Sequence, residues 1–394
     1  MARIDANSRR GYVVSALVGM VFGFCMNKAR VIEPSIIRDQ MTMSRFVMLK
    51  LFLTASGTSA LSFALLYSFK TTRMNVLNSI TNMGSLMNRG FLPFIVGGLL
   101  LGAGLDIAGT CPGMVYVEMG ALVPNSLWTF VGCMIGTFVY TRIQPLIGKL
   151  STSSSCYPKT VMEATGIDYR VLAVLFAGLL YTIVWIVNSF FPWREEVGLV
   201  MQSGGSLHSL MMLGTPIHSL HSLLQSRAWS PIVAGVIIGL LQLPLSGLLG
   251  RFIGTSMSYM TLLAQVCGGN KELEDNKSNW WQVFLVGGSV LGSFLASWLE
   301  GSLHLQQVSS FVSESVIPSL STKPLSDGSV RGVSPLAAVI GGILLLIGAK
   351  TMRACTSGHG LSGMALMAIP SIVATCSIFA GGILTGVVLN RFLY

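Results

Sequence analysis

Of 394 residues only 10% are charged and 52% are hydrophobic, and the mean hydropathy is +0.69. A soluble domain carries roughly 25% charged residues, so a water-facing globule is excluded and an all-α polytopic membrane protein is indicated. The net charge of +10 then belongs to loop lysines and arginines. No basic run interleaved with aromatics suggests a nucleic-acid face, and no G-x-x-x-x-G-K-[ST] loop suggests ATP-driven transport.

Nine apolar runs approach the ~20 residues that a spanning helix needs: 12–26, 46–69, 91–105, 126–148, 170–192, 229–250, 280–300, 334–349 and 371–393. Runs 12–26, 91–105 and 334–349 are short for a full span. The last two of these lead into a polar, glycine-rich segment and then a second short apolar piece, the pattern of a broken or re-entrant helix. The stretches 70–90, 150–169, 193–228, 251–279 and 301–333 read as loops, and K-E-L-E-D-N-K at 271–277 as a solvated charge run. With the N-terminus inside, the inner loops hold 13 Lys/Arg and the outer ones 9, which favours that orientation.

Residues 97–111, G-G-L-L-L-G-A-G-L-D-I-A-G-T-C, match 341–355, G-G-I-L-L-L-I-G-A-K-T-M-R-A-C, without a gap at an offset of 244. Gly97, Gly98, Gly104 and Cys111 fall on Gly341, Gly342, Gly348 and Cys355. G-x-x-x-G pairs flank both blocks: Gly19/Gly23 with Gly235/Gly239 upstream, and Gly132/Gly136 with Gly382/Gly386 downstream. The chain therefore divides into a first repeat (1–150, re-entrant at 106–123), a linker with the fifth span (151–228), and a second repeat (229–394, re-entrant at 350–370). Equivalent spans are five apart, an odd number, so the halves are inverted, the architecture of a transporter or channel.

After each cysteine a short apolar piece follows, 114–123 and 361–370, ended by Pro124 and Pro370. As half-helices, these present unpaired N–H groups and a partial positive charge just past Cys111 and Cys355. Two such ends facing one another favour an anion. A thiol is a soft, weak donor, which suits an anion with a sulfur end, or a soft cation. Gly109, Gly113, Gly358 and Gly360 allow close backbone approach. Lys350 and Asp106 occupy equivalent positions and form a candidate pair; otherwise both reach toward the surface. His359 reads as a residue that holds its turn by hydrogen bonds, and Glu118 as one that caps or faces a cavity.

The blocks C-T-S-G-H-G-L-S-G (355–363) and G-T-C-P-G (109–113), with G-x-x-x-G-F-C at 19–25 and W-S-P-I-V-A-G-V-I-I-G-L-L-Q at 229–242, resemble the YeeE/YedE family of sulfur-compound transporters, over nearly the whole chain. The resemblance implies an hourglass-like helical protein that passes thiosulfate along three cysteines, here Cys25, Cys111 and Cys355. It adds Pro112 to the expected substrate path. The chain departs from the family in having Lys350, Arg353 and Ala354 just before the second tip.

The expected partners are thiosulfate or a similar small sulfur anion and the lipid bilayer, with a sulfur-carrier protein of unknown identity as a further one and no nucleic acid. No cofactor and no resident metal are expected. Two other readings are a membrane sulfurtransferase with a persulfide on cysteine and a soft-metal channel. Cys133 and Cys376 read as core packing, Cys156 and Cys267 as loop residues, and His208, His218 and His221 as a polar loop rather than a metal site.

Overall fold

The computed structural model describes residues 4–148, 159–202, 226, 228–268, 271–301 and 333–393. The expectations for Cys156, His208, His218 and His221 fall outside them. Among the described residues the regular structure is helical apart from one isolated bridge, Thr160 with Ala368.

In chain order, α1 is Arg9–Lys28, α2 Pro34–Met41, α3 Val47–Ser68, α4 Lys70–Ser85, α5 Leu92–Ala108, α6 Met114–Gly120, α7 Ser126–Gly148, α8 Val161–Thr165, α9 Tyr169–Phe190 and α10 Trp193–Gln202. There follow α11 Pro231–Leu240, extended by Gln242–Pro244 and a π turn at Leu245–Leu249, then α12 Met257–Val266, α13 Lys271–Asn276, α14 Trp280–Glu300, α15 Pro335–Met352 and α16 Ile369–Leu393. Among the described residues eight helices are long and apolar enough to cross a membrane, and α5, at 17 residues, is a shorter apolar one. These nine coincide with the nine apolar runs, so the protein is an all-α polytopic membrane protein.

Local chemistry explains the ends. Ser8, Asp168, Ser230 and Ser334 cap α1, α9, α11 and α15 through side-chain oxygens, satisfying donors that the first turn leaves open. Prolines stand in the first turns of α2, α5, α11 and α15, where a missing N–H costs nothing.

Four of the expected loops hold helices, the shortest being α8 in 150–169. In α4 the buried residues Val76, Ser79, Ile80, Met83 and Gly84 recur at helical spacing, so the segment lies along the bundle on one face while its polar face stays open. The stretch 193–228 begins with α10, and 251–279 contains α12 and α13. Such short amphipathic helices escape a reading tuned to spanning length.

The bundle is knit by reciprocal pairings: α1 with α14, α3 with α11, α5 with α16, α7 with α15, and α5 with α15. Glycines let these backbones touch. A Cβ at Gly19 or Gly23 would strike the carbonyls of Leu285 or Ser289 on α14, and one at Gly239 would strike Thr58 on α3. Between α5 and α15, a Cβ at Gly104 would meet Leu345 N at 2.7 Å, and one at Gly348 would meet Leu101 N at 2.5 Å. Helix α9 packs on α3 and turns most of its surface outward; Trp185 and Phe190 are more than 70% exposed.

Candidate functional site

Helix α5 ends at Ala108 and the chain turns at Gly109, φ +65°. Helix α15 ends at Met352 and the chain turns at Arg353, φ +66°. Both are left-handed, both stand two residues before a cysteine, and they are 244 residues apart. Glycine adopts this conformation freely, whereas arginine pays a steric penalty.

After Cys111 the chain forms α6 as expected. After Cys355 it does not form a half-helix over 361–370. A wide π turn spans Ser357–Gly363, irregular turns follow, and Pro370 begins α16 instead of ending a helix. His359 braces this turn. Its Nε2 lies 3.2 Å from the Met352 carbonyl, and its Nδ1 lies 3.0 Å from Ser371 Oγ. A carbonyl only accepts, so Nε2 carries the proton and Nδ1 accepts from the serine. Held at both nitrogens and packed edge-on against Phe94, the ring fixes a broad turn. Gly360 and Gly363 permit it, because a Cβ there would run into Phe52 and Ser371. Ser56, Gln242 and Ser362 complete the frame: Ser56 donates to Gly360 O at 3.0 Å, Gln242 to Ser362 Oγ at 2.8 Å, and Ser362 to Ile253 O at 2.9 Å.

The two tips meet. Cys111 sits beside Thr356 and within electrostatic reach of Cys355, and both cysteines are buried. Main-chain N–H groups of Gly113 and Met114 point at the Cys111 sulfur, and those of Thr255 and Gly358 at the Cys355 sulfur. The hydroxyls of Ser357 and Thr255 lie 3.1 and 3.5 Å from Cys355 Sγ. Thr255 stands between the tips, because its Oγ1 is 2.9 Å from where a Gly113 Cβ would be. Tyr259 OH donates to Pro112 O at 2.8 Å, and Tyr116 and Ser258 share a hydrogen bond of 2.9 Å. Sequence reading missed Thr255, Ser258, Tyr116 and Tyr259. One signal was available: Gly254-Thr255-Ser256 echoes Gly109-Thr110-Cys111.

A cavity of about 430 Å³ opens one face of the molecule down to Cys355 and Gly358. Arg251 and Arg353 stand in its wall, with Asp275 opposite them in charge. The run 271–277 is therefore more than a solvated charge cluster: it forms α13, buries Leu273 and supplies Asp275 and Asn276 to the cavity.

The expected pair of Asp106 with Lys350 does not form. Arg38 on α2 faces Asp106 and donates to the carbonyls of Asp106 and Ile107 at 2.9 and 2.6 Å. Lys350 contacts Met257 Sδ at 3.2 Å, and Glu272 on α13 is the carboxylate that acts on it. Each charge has found an opposite partner on a neighbouring short helix, because α5 and α15 run antiparallel and carry residues 106 and 350 to opposite ends of their seam.

The remaining sequence candidates are dispersed. Cys25 is buried on α1, and none of the described contacts that join Cys111 to Cys355 reaches it. Cys133 is buried beside Tyr259, Glu118 and Cys111. Cys376 is exposed, contrary to the expectation of core packing, because its position on α16 faces away from α5. The gap at Gly109 is filled by Pro34 rather than left open.

A sequence family described as "Sulphur transport" matches residues 28–384. The chain is 23% identical over 375 residues to the thiosulfate transporter TsuA of Escherichia coli strain K12, covering 90% of this chain and 88% of that protein. It is 29% identical over 160 residues to a probable transporter of Xylella fastidiosa strain 9a5c, covering 41% of this chain and 93% of that protein.

Proposed function

The chain belongs to the sulphur-transport family, and from that premise we propose that it carries thiosulfate, or a closely related sulfur anion, across the membrane past Cys111 and Cys355. The observation that carries this reading is the meeting of two cysteine tips whose sulfurs both receive main-chain N–H groups. A sulfur already accepting from N–H offers its own S–H outward, polarised, to the solute. The terminal sulfur of thiosulfate is a soft acceptor that matches a soft donor. A weak donor also lets go, as conduction requires. Cys25 is the third station, in keeping with the motif at 19–25. Arg251 and Arg353 gather anions at the cavity mouth, and the loop charge bias puts that face inside the cell together with the N-terminus. Gly113, Gly358 and Pro112 line the passage, while Gly109, Gly360 and His359 shape it.

The halves 1–150 and 229–394 are inverted copies joined by the segment with α9. The reciprocity of the contacts supports this. Gly97 touches Met352 where Gly341 touches Ala108, and Gly104 touches Leu345 where Gly348 touches Leu101; adding 244 to the lower-numbered residue of each pair gives the higher-numbered residue of its counterpart. Leu122 and Met367, at φ +56° and +57°, extend the match beyond the tips. The contacts of Gly136 with Ile343 and of Gly381 with Leu99 align Gly136 with Gly381 rather than with Gly386.

The test is uptake of labelled thiosulfate by cells that lack their own uptake route. Cys111→Ala and Cys355→Ala are expected to abolish it with normal amounts of protein in the membrane. Wild-type rates in both variants would refute the mechanism.

A further inference from the structure

Glu118 is the acid that the tip mechanism leaves unused. It lies on α6, seven residues past Cys111, and is 2% exposed. Among the described residues its Oε1 has no hydrogen-bond partner, and the group beside its carboxyl is the Thr110 hydroxyl, in the same turn as Cys111. Helix α7 brings the Cys133 thiol to it, while α14 packs on α6 through Val290 and Ser293. Among the described residues no cation on the helices packed against α6 faces it: the charged residues of α1 are Arg9, Arg10 and Lys28 at its ends, that of α7 is Arg142 near its end, and that of α14 is Glu300 at its end. An ionised carboxylate here would lack both a counter-ion and a full set of donors, an arrangement proteins avoid. A neutral carboxyl can give its one O–H to Thr110. Ionisable groups placed this way in spanning proteins mark proton relays.

We propose that Glu118 is a proton site coupled to the anion site, so that the protein moves a proton together with each sulfur anion. The coupling is geometric. Thr110 is the neighbour of Cys111, and α6 begins three residues after that cysteine, so a shift of the tip on loading carries Glu118 and Thr110 with it. The balance is simple: no bond to sulfur forms or breaks, one proton binds the carboxylate on one side and leaves on the other. A divalent anion then crosses with half its net charge. The proposal rests on the transport reading above.

Purified protein in vesicles, loaded with a pH-sensitive dye and given labelled thiosulfate, tests it. Wild-type protein should acidify the vesicle interior when thiosulfate enters. A gradient of one pH unit should change the steady accumulation about tenfold, the value for one proton per anion. Glu118→Gln keeps the shape of the neutral acid; it should still equilibrate thiosulfate but lose both the acidification and the tenfold response. Glu118→Asp, which keeps a carboxyl, should retain proton entry even if Glu118→Gln does not reach the vesicles. Gradient-driven accumulation by Glu118→Gln, or its absence from the wild type while thiosulfate still equilibrates, overturns the proton site alone. Wild-type vesicles that carry no thiosulfate overturn the transport reading with it.

Discussion

His359 ties the last turn of α15 to the first turn of α16 through both ring nitrogens. Replacing it with alanine strands a buried carbonyl and a buried hydroxyl, at about 1–3 kcal/mol each. His359→Ala is therefore expected to lower the unfolding temperature in detergent by several degrees, and unchanged melting would show that the turn stands without it. Arg353 pulls in two directions. In its left-handed conformation an L-residue loses roughly 1–2 kcal/mol relative to glycine, yet its side chain stands in the cavity wall. Arg353→Gly should melt higher and transport with a raised apparent KM; a higher melting point with an unaltered KM would remove the arginine from the anion route. At this scale the sequence singled out the cysteines and His359, because each sits inside a motif. It could not disclose Thr255 or Tyr259, whose place between the tips depends on α12 folding back from a distant part of the chain.

Helices α5 and α15 form a seam in which each glycine contacts the other helix's backbone. Gly104→Val and Gly348→Val would each force those backbones apart, at about 3 kcal/mol or more. Because the contacts are reciprocal, the two variants should fail together in size-exclusion analysis of the detergent extract. One intact and one aggregated variant would break the equivalence. A second element-scale device is the buried pair of Lys50 on α3 with Glu196 on α10, 2.5 Å apart, where Lys50 also donates to Phe191 O. Lys50→Met alone leaves a buried carboxylate and should cost about 3–5 kcal/mol, whereas Lys50→Met with Glu196→Leu should recover most of it; melting of the single and double variants checks this. The seam was readable as an ungapped glycine register, since the offset of 244 reappears in the contacts. The π turn was not, because C-T-S-G-H-G suits a half-helix locally and becomes a wide turn only when Ser371 and Phe52 arrive. Glu272 escaped for the same reason: a charge run looks solvated until its helix packs on α12 and brings a carboxylate within electrostatic reach of Lys350.

For the molecule as a whole, the spans could be counted from hydropathy, but the cavity depends on packing that apolar runs do not encode. Its two arginines set a long-range field at the face read as the inner one, so Arg251→Gln with Arg353→Gln should lower thiosulfate entry into inside-out vesicles at low salt and flatten its dependence on ionic strength. An equal salt dependence in wild type and double variant would place capture elsewhere. Helix α9 touches little but α3, and on the proposed layout it has a consequence of parity. Four spans on either side of one extra crossing give two halves that head in opposite directions along a single thread. Without that crossing, a duplicated half would re-enter the bilayer the same way up and its tip could never meet its twin. On that layout the opposite heading of the two tips is written into the covalent order of the chain by one outward-facing helix.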